Sequence, residues 1–255
     1  MPSSIWTRCG ARANLRRLGG RAWRVVEGQH VVATRKLVDT LDEQAILERL
    51  IETSKPPLRH VPGDARRLHY LLATPFRYPP LRHGSRFGTR AEPSLWYGST
   101  RPRPAFAETA YYRLLFLDGT TARLEPLGAE LSLFRVPLRT SRGVDLTRDP
   151  FTQFEKRIAS PTDYGATQRL GSAMRRDGVE AFRFPSARDV RGGANVALFT
   201  PTAFAAANPD EPEAWHMVAS KERVEFTKRD FFKPRAWVFP RADFEVDGRL
   251  PAPAL

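Results

Sequence analysis

The stretch TDYGATQRLGSAMRRDGVEAFRFPSARDVRGGANVALF, residues 162–199, decides the fold class. Its first part predicts a helix from Thr162 to about Arg176, stopped at Asp177-Gly178, where a glycine can take the left-handed conformation that ends helices. Two β runs follow with no helix between them, Ala181–Phe184 and Asn195–Phe199. Upstream, Pro102–Leu117 predicts a helix with Phe106, Ala110, Tyr111, Leu114 and Leu115 as its apolar positions, and Leu95–Tyr97 a short strand. Leu68–Phe76 reads as a longer β run, and Thr121–Leu138 as two strands broken at Pro126-Leu127-Gly128. Residues 144–160 read as loop and short helix. Downstream come a short helix near Thr202–Ala207 and strands near Met217–Phe226 and Ala236–Phe239. Strands and helices do not alternate strictly, which argues against a doubly wound parallel sheet and for an α+β chain with one main domain.

At the N-terminal side, Thr40-Leu41-Asp42-Glu43 is a capping-box pattern. It opens a helix through Ala45, Ile46, Leu47, Leu50 and Ile51, which Ser54-Lys55-Pro56-Pro57 stops. Before it, residues 1–24 contain six arginines (Arg8, Arg12, Arg16, Arg17, Arg21, Arg24) and no acid. A poorly ordered extension, a surface-bound arm and a targeting segment all fit that composition, and the expectation taken forward is a basic, disordered leader. The expected organisation is therefore a leader over 1–24, a helical extension over 25–60, the main domain over 61–245 and a tail over 246–255.

Across 255 residues the hydrophobic content is 41% and the charged content 27%, ordinary for a globular protein. The net charge of +13 invites a nucleic-acid reading, but six of the 41 basic residues belong to the 1–24 segment and the rest are dispersed. A single cysteine, Cys9, excludes a disulfide framework and a thiolate zinc cluster and fits a reducing compartment, so a cytoplasmic location is expected. No apolar run reaches the length of a membrane span. The five histidines are scattered without metal-ligand spacing, so no metal is expected, and neither the G-x-G-x-x-G nor the P-loop fingerprint occurs.

Four segments carry more chemistry than packing needs: Thr74-Pro75-Phe76-Arg77-Tyr78-Pro79-Pro80; the glycine-flanked basic turn Gly84-Ser85-Arg86-Phe87-Gly88; Leu95-Trp96-Tyr97-Gly98-Ser99 followed by Glu108; and Phe184-Pro185-Ser186-Ala187-Arg188-Asp189 followed by Gly192-Gly193-Ala194-Asn195-Val196-Ala197-Leu198-Phe199. Together, and in this order, they resemble the RES domain, a family of bacterial toxins named for an Arg, a Glu and a Ser. The resemblance covers roughly residues 66–200. It implies that the Arg is Arg77, the Glu Glu108 and the Ser Ser186, with Tyr78 and Tyr97 as pocket tyrosines. The turn reads Gly-Ser-Arg-Phe where the family more often has Gly-Gly-Arg-Trp, which leaves Arg86 in place.

The resemblance further implies a mixed, mostly antiparallel β core like that of ADP-ribosyltransferases. It implies a toxin acting on NAD⁺ as substrate, with no prosthetic group, and a cognate antitoxin with an Xre-like helix-turn-helix region. Assembly of toxin copies within such a complex is a further expectation. The chemistry suits the residues. Cleaving the nicotinamide–ribose bond passes through an oxocarbenium-like sugar, so a carboxylate near the ribose helps, and Glu108 is the candidate. Arg77 and Arg86 suit the diphosphate, Tyr78 or Tyr97 a ring, and Ser186 and Asn195 hydroxyl or amide hydrogen bonds to the substrate. Water as acceptor makes a glycohydrolase and phosphate a phosphorylase. The alternatives are transfer of ADP-ribose to a protein and a non-enzymatic basic nucleic-acid-binding module.

Overall fold

The structure is a computed structural model that describes residues 4–28, 38–56, 65–122, 126–228, 230 and 234–252. Parts of the expected 25–60 extension and 246–255 tail lie outside these residues. Among the described residues there are eight strands: β1 (Arg16–Glu27), β2 (Trp96–Ser99), β3 (Leu127–Asp145), β4 (Ala181–Pro185), β5 (Ala194–Leu198), β6 (Glu213–Ala219), β7 (Arg223–Lys228) and β8 (Ala236–Pro240). The α-helices are α1 (Ile5–Arg8), α2 (Leu41–Ser54), α3 (Tyr70–Arg77), α4 (Pro102–Asp118), α5 (Glu155–Ile158) and α6 (Gly165–Arg176).

The strands form one mixed sheet in the order β1-β2-β5-β4-β3-β6-β7-β8, with β1 also paired to β3. Those pairings close a circuit of five strands, β1-β2-β5-β4-β3, and β6-β7-β8 leaves it as a meander. Only β3–β4 is parallel among the described pairs; the others are antiparallel. The long β3 makes this possible. One edge runs along β1 from Leu131 to Gly143, while the other pairs first with β6 and then, at Gly143–Asp145, with β4.

Period-two alternation on β4 and β5 buries both faces of the sheet. Phe182, Phe184 and Ala197 join the core beneath α6 and α1, whereas Ala181, Val196 and Leu198 join a second core with Leu71, Leu72 and Phe76 of α3. A third core lies between α4 and the meander, where Phe106 packs against Trp215, Phe226 and Trp237 with each pair of ring centroids 4.7 Å apart. The chain is α+β, as expected.

Four expectations are corrected. Residues 4–24 of the expected leader are not disordered: α1 and β1 build them into the fold. Trp6 is 2% exposed, stacks on Phe151 at 6.2 Å and donates from Nε1 to Asp177 Oδ2 at 2.6 Å. Local composition misleads here, because the arginines of β1 point outward or onto polar partners while Leu18 and Ala22 fill the core. Leu68–Phe76 is not a β run. His69 Nδ1 accepts from Leu71 N and caps α3, whose Leu72 and Phe76, four residues apart, share one buried face. A short continuous apolar run fits either state until its partner surface is known. Among the described residues Thr121–Leu138 holds one strand, since β3 begins at Leu127, inside the expected break at Pro126-Leu127-Gly128, and residues 123–125 lie outside the described residues. The Met217–Phe226 strand is a hairpin of β6 and β7, its turn at Ser220-Lys221-Glu222 lacking any glycine or proline to mark it.

Candidate functional site

A cavity of about 300 Å³ opens where α4, the ends of β1, β2, β4 and β5, the 84–88 turn and the start of α6 converge. Its polar lining includes Arg24, Ser85, Arg86, Tyr97, Ser99, Glu108, Tyr112, Tyr164 and Asn195.

Glu108 occupies it from α4, which lies across β1, β2, β5, β6 and β7. The carboxylate is held through one oxygen. Asn195 Nδ2 donates to Oε1 at 2.8 Å, and Ser186 Oγ approaches the same oxygen at 3.5 Å. Asn195 is itself oriented. It lies directly opposite Ser99 in the β2–β5 ladder, and the buried Ser99 hydroxyl donates to its Oδ1 at 2.7 Å. An amide whose oxygen is occupied must turn its NH₂ to the carboxylate. Ser186 is oriented by its turn: its Oγ accepts from the backbone N–H groups of Arg188 at 3.2 Å and Asp189 at 3.1 Å. With those lone pairs engaged, its single proton is left for Glu108. No hydrogen bond reaches Glu108 Oε2 among the described residues.

The opposite wall is built by the basic turn. Gly84 has φ +73°, a conformation that L side chains rarely adopt, and a Cβ there would sit 2.3 Å from Gly88 O. Gln168 of α6 donates from Nε2 to the carbonyls of His83 and Ser85 at 3.0 and 3.1 Å, clamping the turn. Gly171 lets the Phe87 backbone approach the helix, since any Cβ there would fall 2.0 Å from Phe87 O. Thus Ser85 Oγ meets Tyr97 Oη at 2.9 Å, and Phe87 N donates to the same phenol at 3.2 Å. Burial pushes the Tyr97 phenol up to about 12, so it is neutral and serves as a hydrogen-bonding and stacking group rather than a base.

Arg86 is buried at this wall. Its Nη1 donates to Ser160 O at 2.7 Å, and its guanidinium lies 4.4 Å from the Tyr164 ring centroid. The charge is therefore pinned by carbonyl and aromatic partners, with no carboxylate paired to it among the described residues.

Of the residues expected in the site, the fold brings Glu108, Ser186 and Asn195 into one hydrogen-bonded cluster and places Arg86 and Tyr97 on the cavity wall. Arg77, Tyr78 and Ser186 do not line the cavity; Ser186 reaches it only through Glu108 Oε1. Arg77 ends helix α3 rather than a strand and donates from Nε to Pro56 O, while Tyr78 is exposed. Sequence reasoning gave no role to five polar lining residues, Arg24, Ser85, Ser99, Tyr112 and Tyr164. Tyr164 precedes α6 without a motif of its own, and Ser99 stood in a quoted segment without a role. Arg24 belonged to the segment set aside as a leader. Its Nη1 donates to Tyr97 O at 2.9 Å and its guanidinium sits 5.4 Å from the Trp96 ring centroid. Desolvation lowers its pKa to about 10, which leaves it cationic at neutral pH. Among the described residues no group of His, Cys, Asp and Glu forms a metal site, and no helix is long and apolar enough to cross a membrane.

Comparison with solved structures finds similarity to a chain of the M. tuberculosis MbcT–MbcA toxin–antitoxin complex, with 14% identity, a TM-score of 0.48, and coverage of 85% of this chain and 92% of that one. No curated protein matches the sequence. The RES domain, however, matches residues 57–219, a span that carries Glu108, Ser186, Asn195, Tyr97 and Arg86. With most of the chain and its carboxylate cluster inside that match, the protein belongs to the RES-domain family.

Proposed function

We propose that this chain is the toxin of a toxin–antitoxin system and that it cleaves the nicotinamide–ribose bond of NAD⁺. Family membership supports the class of protein. The observation that carries the chemistry is the Glu108 carboxylate, fixed through Oε1 by Asn195 and Ser186, with Oε2 receiving no hydrogen bond among the described residues, in a cavity whose other charged lining residues are arginines.

Cleavage breaks the bond between the anomeric ribose carbon and the pyridinium nitrogen. The bonding electron pair leaves with nicotinamide, which becomes neutral and needs no proton from a general acid. The positive charge moves to the ribose as an oxocarbenium ion, and a preorganised carboxylate stabilises that ion more than it stabilises the ground state. Asn195 and Ser186 are positioning residues for the carboxylate; Tyr97 and Tyr164 supply aromatic walls for a ring. Arg77 and Tyr78, outside the cavity, are given no step. Water captures the sugar as ADP-ribose with release of a proton, and phosphate captures it as the 1-phosphate. A helix-turn-helix antitoxin is the proposed partner.

The test is incubation of the purified chain, freed of any antitoxin, with NAD⁺ in the presence and absence of phosphate, with products separated by chromatography. Release of nicotinamide by the wild type, and its loss in Glu108→Gln, is the expected result. Intact NAD⁺ under both conditions overturns the cleavage reading and leaves a protein acceptor to be tried next.

A further inference from the structure

The turn that carries Ser186 also carries a cation that stands outside the cavity. Arg188 is 2% exposed and does not line the cavity, yet its side chain contacts segments that build it. Its backbone N–H donates to Ser186 Oγ at 3.2 Å, so it belongs to the turn that aims Ser186 at Glu108. From there the guanidinium reaches the loop before α6. Nη2 donates to Pro161 O at 3.0 Å and approaches Tyr164 Oη at 3.5 Å. The guanidinium carbon lies 3.5 Å from the ring centroid of Tyr111, one turn after Glu108 on α4. One buried side chain thus joins the Ser186 turn, the 160–164 loop and α4.

That loop is also where Arg86 is held. Ser160 O accepts from Arg86 Nη1 at 2.7 Å, and the Tyr164 ring centroid lies 4.4 Å from the Arg86 guanidinium. Tyr164 is therefore pinned at two points, with Arg86 over its ring and Arg188 at its hydroxyl.

Packing alone does not account for an arginine at this position. Among the described residues no carboxylate is paired with Arg188, and its buried Nη1 has no hydrogen-bond partner. A buried cation with an idle donor costs stability that an apolar side chain of similar volume avoids. What an apolar side chain could not supply is the directed pair of contacts to Pro161 O and Tyr164 Oη.

We propose that Arg188 is a positioning residue that fixes the Arg86–Tyr164 wall of the cavity relative to the Ser186–Glu108 cluster. That this spacing serves NAD⁺ cleavage rests on the reading of the preceding section; the setting of Tyr164 by Arg188 does not.

The experiment uses the full-length chain with Arg188→Met, which keeps the apolar stem, Arg188→Lys, which keeps the charge without the planar fork, and Tyr164→Phe, which keeps the ring without its hydroxyl. A ring-fluorinated tyrosine at position 164 reads the wall without any turnover. The wild type should give one sharp fluorine NMR resonance, and Arg188→Met a split or exchange-broadened one. Kinetics read the consequence. Arg188→Met should lower kcat/KM for NAD⁺ by about 10-fold, and Arg188→Lys by a smaller factor. Adding Tyr164→Phe to either should cost little more, because both substitutions break the same contact. A single sharp resonance in folded Arg188→Met overturns the proposal. So do losses that multiply fully in the double variants, and a lowered Tm with kcat and KM unchanged. If Arg188→Met fails to fold, Arg188→Lys with and without Tyr164→Phe decides by the same readouts. If the wild type leaves NAD⁺ intact, the cleavage reading falls and the fluorine resonance alone decides this inference.

Discussion

The two sides of the cavity hold their charges in opposite ways. On the side of α4 and β5, the Glu108 carboxylate is the end of a relay in which Ser99 orients Asn195, Asn195 and Ser186 orient the carboxylate, and each hydrogen bond determines the next. On the side of β1 and β2, Arg24 rests on one carbonyl and one indole, with no acid paired to it among the described residues. The first arrangement is satisfied from within the protein and gains rigidity; the second leaves an interaction for something that arrives. On the proposed NAD⁺ reading, a site that stabilises a short-lived cation and holds a diphosphate would use both, since the carboxylate would need to be in place before charge develops.

Substitutions can break this contrast. Glu108→Gln should have the largest effect, lowering kcat for NAD⁺ cleavage by on the order of 10²–10³ with little change in KM, as measured by nicotinamide release. An equal rise in KM would mean the carboxylate binds substrate rather than stabilising its transition state. Next is Trp6→Ala, which removes the anchor of the N-terminal segment and should cost about 3 kcal/mol in thermal or denaturant unfolding. Because that segment leads into β1, the variant should lose affinity for NAD⁺ before it loses kcat. Asn195→Ala should lower kcat by about 10-fold, and Ser99→Ala by less, because the amide of Asn195 then becomes free to turn its oxygen toward Glu108. An unchanged rate in both would show that the carboxylate needs no such relay.

The smallest expected effect is acid sensitivity of the N-terminal anchor. The Trp6 indole N–H, with Arg12 beside it, holds the Asp177 carboxyl below its ordinary value. A carboxyl depressed in the folded state contributes stability above its unfolded pKa of about 3.9, and that contribution disappears as pH falls through the lower folded value. The Tm advantage of the wild type over Asp177→Asn should therefore be full at pH 6 and shrink below about pH 4. A constant difference across that range would show that the carboxylate charge plays no part in holding the segment.

Sequence made one side of the site far more legible than the other, for a physical reason. Glu108, Ser186 and Asn195 stand in segments whose prolines, glycines and small residues fix local geometry, so the pattern carries the chemistry with it. Arg24 stands among arginines with nothing local to distinguish it. Its place is set by pairing with Phe134 across β3 and by β1 reaching β2 through Trp23 and Ser99, contacts separated by some hundred positions or by most of that. Arg77 shows the converse. Its surroundings in sequence match a family motif, yet the capping of α3 by His69 and the packing of Leu72 and Phe76 decide where it stands, outside the lining. The helix of residues 41–54 was readable from its capping box, where Glu43 accepts from the N–H groups of Asp39 and Thr40 and Thr40 Oγ1 accepts from Glu43 N. The turn at Ser220-Lys221-Glu222 was not, because nothing in its composition demands a reversal.

The closed circuit of strands also imposes an order on biosynthesis. β1 leaves the ribosome first, but its partners on β3 lie at 131–143 and the strand facing β2 lies at 195–198. Arg24, Glu108 and Asn195 therefore cannot share a cavity until translation has passed residue 198 and the ends of the ring have met. Non-local pairing of this kind is slow to nucleate. A nascent or truncated chain therefore lacks this cavity, which exists only once the ring has closed.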